Sequence, residues 1–414
     1  MHSLAAASAN QDIPMAMNET PQGERVRIVL LGRCNVGKSS LINSIAGQPV
    51  AIVSDVRGTT TDPVRKAMEI LPLGPVLLCD TPGLDDTGEL GAQRMERTRA
   101  ELRQADLALL VVDAERGFDE LEKNIASEIR ALSIPAIIVL NRIDTVSSSL
   151  LNELKAQVEA AKLPCFATSA LKGDGISELR LAMAKALPDD KMGVHIASDF
   201  VKAGEIAILV TPIDKAAPKG RLILPQQQTI RDLLDAGAIP LVVRDSELEK
   251  ALQSLKEPPA LVITDSQAFA TVSKIVPPNV PLTSFSILFA RYKGDLKALI
   301  EGAKAVANLK DGDRILMAEG CTHHRQDDDI GTVKIPNLLR KKTGKELIFS
   351  HAAGMGYPAD LSEYALVVHC GGCMLNRREM LHRINAANTA GVPIVNYGVL
   401  LAYLNGILDR TLPN

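Results

Sequence analysis

The stretch "VRIVLLGRCNVGKSSLINSIAG" (26–47) constrains the fold more than any other part of this chain. An apolar run of strand length ends at Gly32, four residues follow, and Gly37-Lys38-Ser39 opens a helical segment. Strand, glycine loop and helix in that order make a phosphate-binding loop. The glycines let backbone N–H groups converge on an anion, and the helix N-terminus adds positive potential. A glycine turn with an incidental lysine would not come with this flanking strand and helix.

The runs "PVLLCD" (75–80), "LALLVVD" (107–113), "PAIIVLN" (135–141) and "PCFATSA" (164–170) recur downstream, with helical stretches such as "ISELRLAMAKAL" among them. Strands alternating with helices predict a mostly parallel sheet covered on both faces. The pattern breaks at "PDDKMGVHIASDF" (188–200) and resumes with "EIAILVTPI", "IPLVVRD" and "PALVITD". Beyond the prolines of "VPPNVP" (276–281) come "RILMAEGC", "ELIFSH", "YALVVHC" and "GVPIVNYG". The expected fold class is α/β: a P-loop domain with a mostly parallel sheet, followed by two smaller α/β domains. The expected divisions are a disordered polar leader over 1–24, a first domain over 25–190, a second over 200–275 and a third over 276–414. No exact internal repeat is visible, although the last two domains share a strand-then-helix rhythm.

The nucleotide contacts follow from the motifs. Candidates on the loop are Gly32, Asn35, Val36, Gly37, Lys38, Ser39 and Ser40. Lys38 is expected on the β- and γ-phosphates and the Ser39 hydroxyl on Mg2+. "DTPG" (80–83) ends a strand, placing Asp80 in the magnesium shell and the Gly83 amide near the γ-phosphate. In "NRID" (141–144), Asn141 ends a strand and Asp144 can accept from guanine's N1–H and exocyclic amine. Adenine lacks that donor pair, so the site selects GTP over ATP. Ser169 and Ala170 of "TSALKG" would support the base, and Thr60 of "GTTTD" would sense magnesium and the γ-phosphate.

These motifs resemble the TrmE–Era group of GTPases over roughly residues 25–187. The chain departs from the group at Arg142, where lysine is usual. Leu84 stands where Ras-like enzymes carry a water-positioning glutamine. In relatives with an asparagine at the place of Asn35, that side chain helps hold a potassium ion. The resemblance therefore implies slow hydrolysis stimulated by potassium (K+). The catalytic residues are otherwise unknown, with Asn35, Lys38 and Thr60 as candidates. Asp85, Asp86 and Glu89 are candidates for orienting water, with solvated switch-loop acids as the favoured reading.

Composition narrows the remaining choices. A formal charge of −3 argues against a protein that coats nucleic acid, and 3% aromatic content without tryptophan demands aliphatic cores. No apolar run reaches the roughly 18 residues of a membrane span, and the N-terminus lacks a signal-peptide pattern. The cytoplasm is the expected compartment, where clustered cysteines point to metal rather than disulfides.

Such a cluster exists. Three of the six cysteines and three of the seven histidines fall in "EGCTHHRQDDDIG" (319–331) and "VVHCGGCML" (367–375). Cys321, His323, His369, Cys370 and Cys373 would project from strand ends, with Gly371-Gly372 allowing close backbone wrapping. Three thiolates plus another group suit either Zn2+ or an iron–sulfur cluster, and spacing alone leaves that choice open.

C-x-H followed far downstream by H-C-x-x-C, behind a P-loop domain and a middle domain, resembles the FeFe-hydrogenase maturation GTPases over the whole chain after residue 24. That resemblance implies that Cys321, Cys370 and Cys373 ligate a 4Fe-4S cluster, with His323 and His369 as candidates for an exchangeable fourth ligand. It also implies a scaffold for a two-iron precursor, a homodimer formed through the second domain, and apo-FeFe-hydrogenase and radical-SAM maturases as partners. The alternative is an RNA- or ribosome-associated TrmE/Era-type GTPase with a structural zinc domain. The incomplete thiolate set disfavours a third role, electron transfer.

Overall fold

The computed structural model describes residues 25–47, 63–85, 89–187, 195–212, 222–320, 329–354 and 356–412. Three sheets carry the described fold.

The first sheet contains β1 (Val26–Leu31), β2 (Val64–Ile70), β3 (Gly74–Asp80), β4 (Leu107–Asp113), β5 (Ala136–Asn141) and β6 (Cys165–Ala167). Their spatial order is β2-β3-β1-β4-β5-β6, with β2 antiparallel to β3 and every other pair parallel. Every residue of β4 is buried, which is why its sequence is apolar throughout rather than alternating. Ile28, Leu30 and Leu109 enter one core, and Val29, Leu31 and Leu110 enter another. Helices α1 (Lys38–Ala46), α2 (Glu89–Arg103), α3 (Glu120–Ala131), α4 (Ser148–Glu159) and α5 (Ile176–Ala186) belong to this domain.

The second sheet contains β7 (Ile206–Val210), β8 (Ile239–Val243), β9 (Leu261–Thr264) and β10 (Leu282–Ser284). Its helices are α6 (Leu224–Asp235), α7 (Leu248–Ser254), α8 (Phe269–Ile275) and α9 (Phe285–Lys293). The third sheet contains β11 (Arg314–Glu319), β12 (Ile348–Ala353), β13 (Leu366–His369) and β14 (Ile394–Asn396). Its helices are α10 (Leu296–Ala305), α11 (Ile335–Thr343), α12 (Arg377–Thr389), α13 (Tyr397–Leu404) and α14 (Leu408–Thr411).

Both small sheets are wholly parallel. Their orders, β10-β9-β7-β8 and β12-β11-β13-β14, are one topology used twice. The shared rhythm of the sequence is thus a repeated architecture. The division expected near residue 275 moves, because β10 pairs with β9 and α9 runs on to Lys293. The proline cluster is the loop into β10, not a domain boundary. Phe269, Ile287 and Ala290 also enter the core of the third sheet, so the two small domains share packed surface.

In this topology the chain reverses direction of growth between the first and third strands, and the crevice at their carboxyl ends is the usual ligand position. In the third sheet that crevice lies beyond β11 and β13, where Glu319-Gly320 and His369-Cys370 stand side by side. The fold therefore puts the cysteine motif at a place suited to binding.

Candidate functional site

The nucleotide loop is built between β1 and α1. Asn35 and Gly37 take left-handed backbone angles, φ 61° and 90°. A Cβ on Gly37 would stand 2.5 Å from Asn141 Nδ2, so glycine is required there. Lys38 is buried, and its ammonium donates to the carbonyls of Gly32 (3.0 Å) and Arg33 (2.8 Å). The side chain thus lies folded over the loop. Ser39 Oγ donates to Asp80 Oδ2 at 2.6 Å, bringing the two expected magnesium-shell groups together. Burial pushes the Asp80 carboxyl up, while Ser39 and the Lys38 charge oppose that shift.

Asn141 ties three segments together. Its Nδ2 donates to Val36 O at 3.0 Å, and its Oδ1 accepts from Ala170 N at 3.1 Å. A hydrogen bond from Ser169 holds the Asp144 carboxyl below the usual range, and nearby Lys172 and Arg142 act in the same direction. Arg142 turns through a left-handed backbone and pairs with Asp113 at 2.8 Å. The arginine departure is therefore anchored by an acid at the end of β4. Val36 is buried and Ser40 is half-buried on α1.

One expectation in this region is corrected. Asp85 is not a solvated acid: its Oδ1 accepts from Cys34 N at 2.6 Å. Burial pushes its carboxyl up, but the Cys34 and Asp85 amides outweigh that and lower it overall. Cys34 is half-buried against Gly83, where a Cβ would stand 2.7 Å from Cys34 N. Thr60 and Asp86 lie outside the described residues.

The cysteine loop leaves β13 at His369 and enters α12 at Arg377. Cys370 N extends the ladder by donating to Ala318 O at 2.8 Å. Cys370 Sγ accepts from Gly320 N (3.1 Å) and Gly372 N (3.4 Å). Gly372 has φ 62°, and a Cβ there would meet Met380 Sδ at 2.7 Å. Two amides aimed at one sulfur stabilise a thiolate over a thiol, which is the form that binds metal. The surroundings of Cys370 therefore suit a thiolate ligand. Cys321 and His323 lie outside the described residues, and among those described no three histidine, cysteine or acidic side chains form a metal-holding group.

His369 does not serve as expected. It is fully buried, with Nδ1 2.8 Å from Cys370 O and Nε2 3.0 Å from Arg383 Nη1. An arginine only donates, so Nε2 accepts and the proton sits on Nδ1, directed at the Cys370 carbonyl. Burial and the Arg383 charge lower its pKa to about 4. Both ring nitrogens are used inside the protein, which leaves none for an iron.

Arg383, itself buried, also donates to Glu379 Oε1 (2.7 Å) and Gly354 O (2.8 Å). Neither arginine nor glutamate carries a motif that sequence reading would catch; only their i, i+4 spacing on α12 hinted at a pair. On the other side of the loop, Tyr397 donates to the buried Glu319 at 3.4 Å. Burial, and then the negative charges of Cys370 and Glu319, push that phenol up.

Residues 196–294 match the hydrogen maturase F dimerization domain, and residues 297–414 match the hydrogen maturase F tetramerization domain. Residues 27–142 match the 50S ribosome-binding GTPase domain. The tRNA modification GTPase MnmE of Acetivibrio thermocellus is 30% identical over 51% of this chain and 46% of its own. MnmE of Nitrosomonas europaea is 40% identical over 39% of this chain and 35% of its own. GTPase Der of Campylobacter hominis is 34% identical over 42% of this chain and 37% of its own. The chain thus spans less than half the length of these curated relatives. Among solved structures, Aquifex aeolicus Era aligns over 53% of this chain and 92% of its own, at 22% identity and a TM-score of 0.37.

Proposed function

We propose, from the premise that this chain belongs to the hydrogen maturase F family through its adjoining dimerization and tetramerization domains, that it is a GTP-controlled scaffold of hydrogenase maturation. It carries a P-loop GTPase domain, for which GTP and Mg2+ are the expected ligands, and its other two domains favour an oligomer. Among the described residues no helix is long and apolar enough to cross a membrane.

In this reading Cys321, Cys370 and Cys373 hold a 4Fe-4S cluster. Three thiolates leave one iron with a weaker ligand, which supplies an exchangeable attachment point. With His369 engaged elsewhere, His323 is the histidine candidate for that position. The cargo is a two-iron precursor supplied by radical-SAM maturases and passed to apo-FeFe-hydrogenase, in the cytoplasm.

One observation supports control by GTP. Helix α2 follows the "DTPG" switch segment and ends against the helix that follows the cysteine loop. Asn376 Nδ2 donates to Gln104 O at 2.8 Å, while its Oδ1 caps α12 by accepting from Glu379 N at 3.0 Å. Arg378 Nε lies 3.9 Å from Asp106 Oδ1, and Asp106 Oδ2 accepts from Arg27 N at 2.8 Å. One asparagine therefore joins the end of α2 to the end of the cysteine loop. Nucleotide-dependent movement of the switch would reach the loop through that contact.

Asn376→Asp keeps the helix cap but loses the cross-domain donor. We expect GTP turnover to stay within about twofold of wild type, while hydrogenase activation in a reconstituted assay becomes insensitive to GTP. If activation by the variant responds to GTP as the wild type does, the coupling route is wrong.

Asn35, already in a left-handed turn, is the proposed potassium ligand. GTP turnover should be faster in potassium than in sodium, and equal rates would exclude that role.

A further inference from the structure

Lys293 is the last residue of α9 and belongs to the second domain, yet its amine works in the third. It is 3% exposed, and its Nζ donates to Cys373 O at 3.1 Å and to Leu375 O at 2.9 Å. The clasp is mutual, because Arg377 at the far end of the same loop donates to Tyr292 O. A helix C-terminus, with its negative dipole end, is a favourable place to hold both cations.

The loop beyond Cys370 is neither helix nor strand, so its carbonyls need partners from elsewhere. His369 takes the carbonyl of Cys370, and Lys293 takes those of Cys373 and Leu375. The carbonyl ends of both cysteine peptides are thereby held by buried donors of the protein. The amides of Gly320 and Gly372 are directed at the Cys370 sulfur. One face of the loop presents N–H dipoles to sulfur, and a buried ammonium stands one hydrogen bond behind Cys373. Hydrogen bonds to sulfur and net local charge are two of the terms that set the potential of an iron–sulfur centre.

We propose that Lys293 is a positioning residue of the cysteine loop and that its charge raises the reduction potential of the iron–sulfur centre bound there. A reduced cluster carries one more negative charge than the oxidised one, so a fixed cation behind the loop favours reduction. The second domain, matched to dimerization, thereby also tunes the metal site of the third. The inference rests on the cluster reading given above.

The test uses the full chain, reconstituted anaerobically as wild type, Lys293→Met, Lys293→Gln and Lys293→Arg. Iron content and an EPR-monitored redox titration are measured for each. Methionine removes charge and donors, glutamine keeps a donor without charge, and arginine keeps both. We expect the methionine and glutamine variants to bind iron but to favour the oxidised state about tenfold more, a fall of about 59 mV for a one-electron couple. Arginine should hold the wild-type potential.

Unchanged potential in iron-loaded Lys293→Gln or Lys293→Met would overturn the proposal and leave the lysine a purely structural brace. If methionine prevents folding, the glutamine and arginine pair still decides, since they differ in charge while both can reach a carbonyl. A wild-type protein that takes up no iron would instead overturn the cluster reading itself, an outcome visible before any variant is compared.

Discussion

Cys370→Ala should reduce reconstituted iron from about four atoms per chain to less than about one, and abolish the cubane EPR signal. The cause is local. Cys370 is where β13 ends, its amide is fixed by Ala318, and its sulfur receives the Gly320 and Gly372 amides. Alanine removes the sulfur and leaves two amides directed at a site with no acceptor, so no neighbouring group takes its place. Cys321→Ala should behave in the same way. Retention of the full signal in either variant would remove that cysteine from the ligand set. A colourless wild-type protein holding one zinc per chain would move the reading to a structural zinc domain.

Asp144→Asn should weaken GTP binding by roughly 10²–10⁴-fold, because two hydrogen bonds to a charged acceptor are worth about 1.5–3 kcal/mol each. Asparagine still offers one carbonyl oxygen, which places the loss toward the lower part of that range. Its amide donates where the carboxylate accepted, so it should prefer xanthine, which carries a carbonyl in place of the exocyclic amine. Equilibrium binding of GTP and xanthosine triphosphate to both proteins tests this. Equal GTP affinity in wild type and variant would show that the base is read elsewhere. The Ser169 hydrogen bond that steadies the Asp144 carboxylate gives the prediction its geometry: the acid is held ready at the end of the loop that follows β5.

Much of this was legible along the chain. Strand-length apolar runs became the parallel strands, because a strand buried on both faces must be apolar at every position, as β4 is. The phosphate loop was equally legible, since glycines at fixed offsets between strand and helix leave few other structures. The boundary near 275 failed because a proline cluster marks an irregular turn, and a turn can lie inside a domain as well as between two. His369 was misread for a related reason. Its place beside Cys370 made it a natural ligand, but the side of the strand on which a side chain falls, and what waits there, depend on packing.

The sequence by itself determined which residues are the candidates for the chemistry: a lysine in a glycine loop, an aspartate proposed to read guanine, and cysteines flanking a pair of glycines. These follow from local spacing, which is the same in any fold that accommodates it. Only the tertiary structure decided what those residues work against. Arg383 reaches His369 from the next helix, and Lys293 reaches Cys373 across 80 positions of chain. Asn376 reaches Gln104 across 272. Hydrogen bonds of that range are set by how sheets and helices stack, and their partners are ordinary polar residues with no motif of their own.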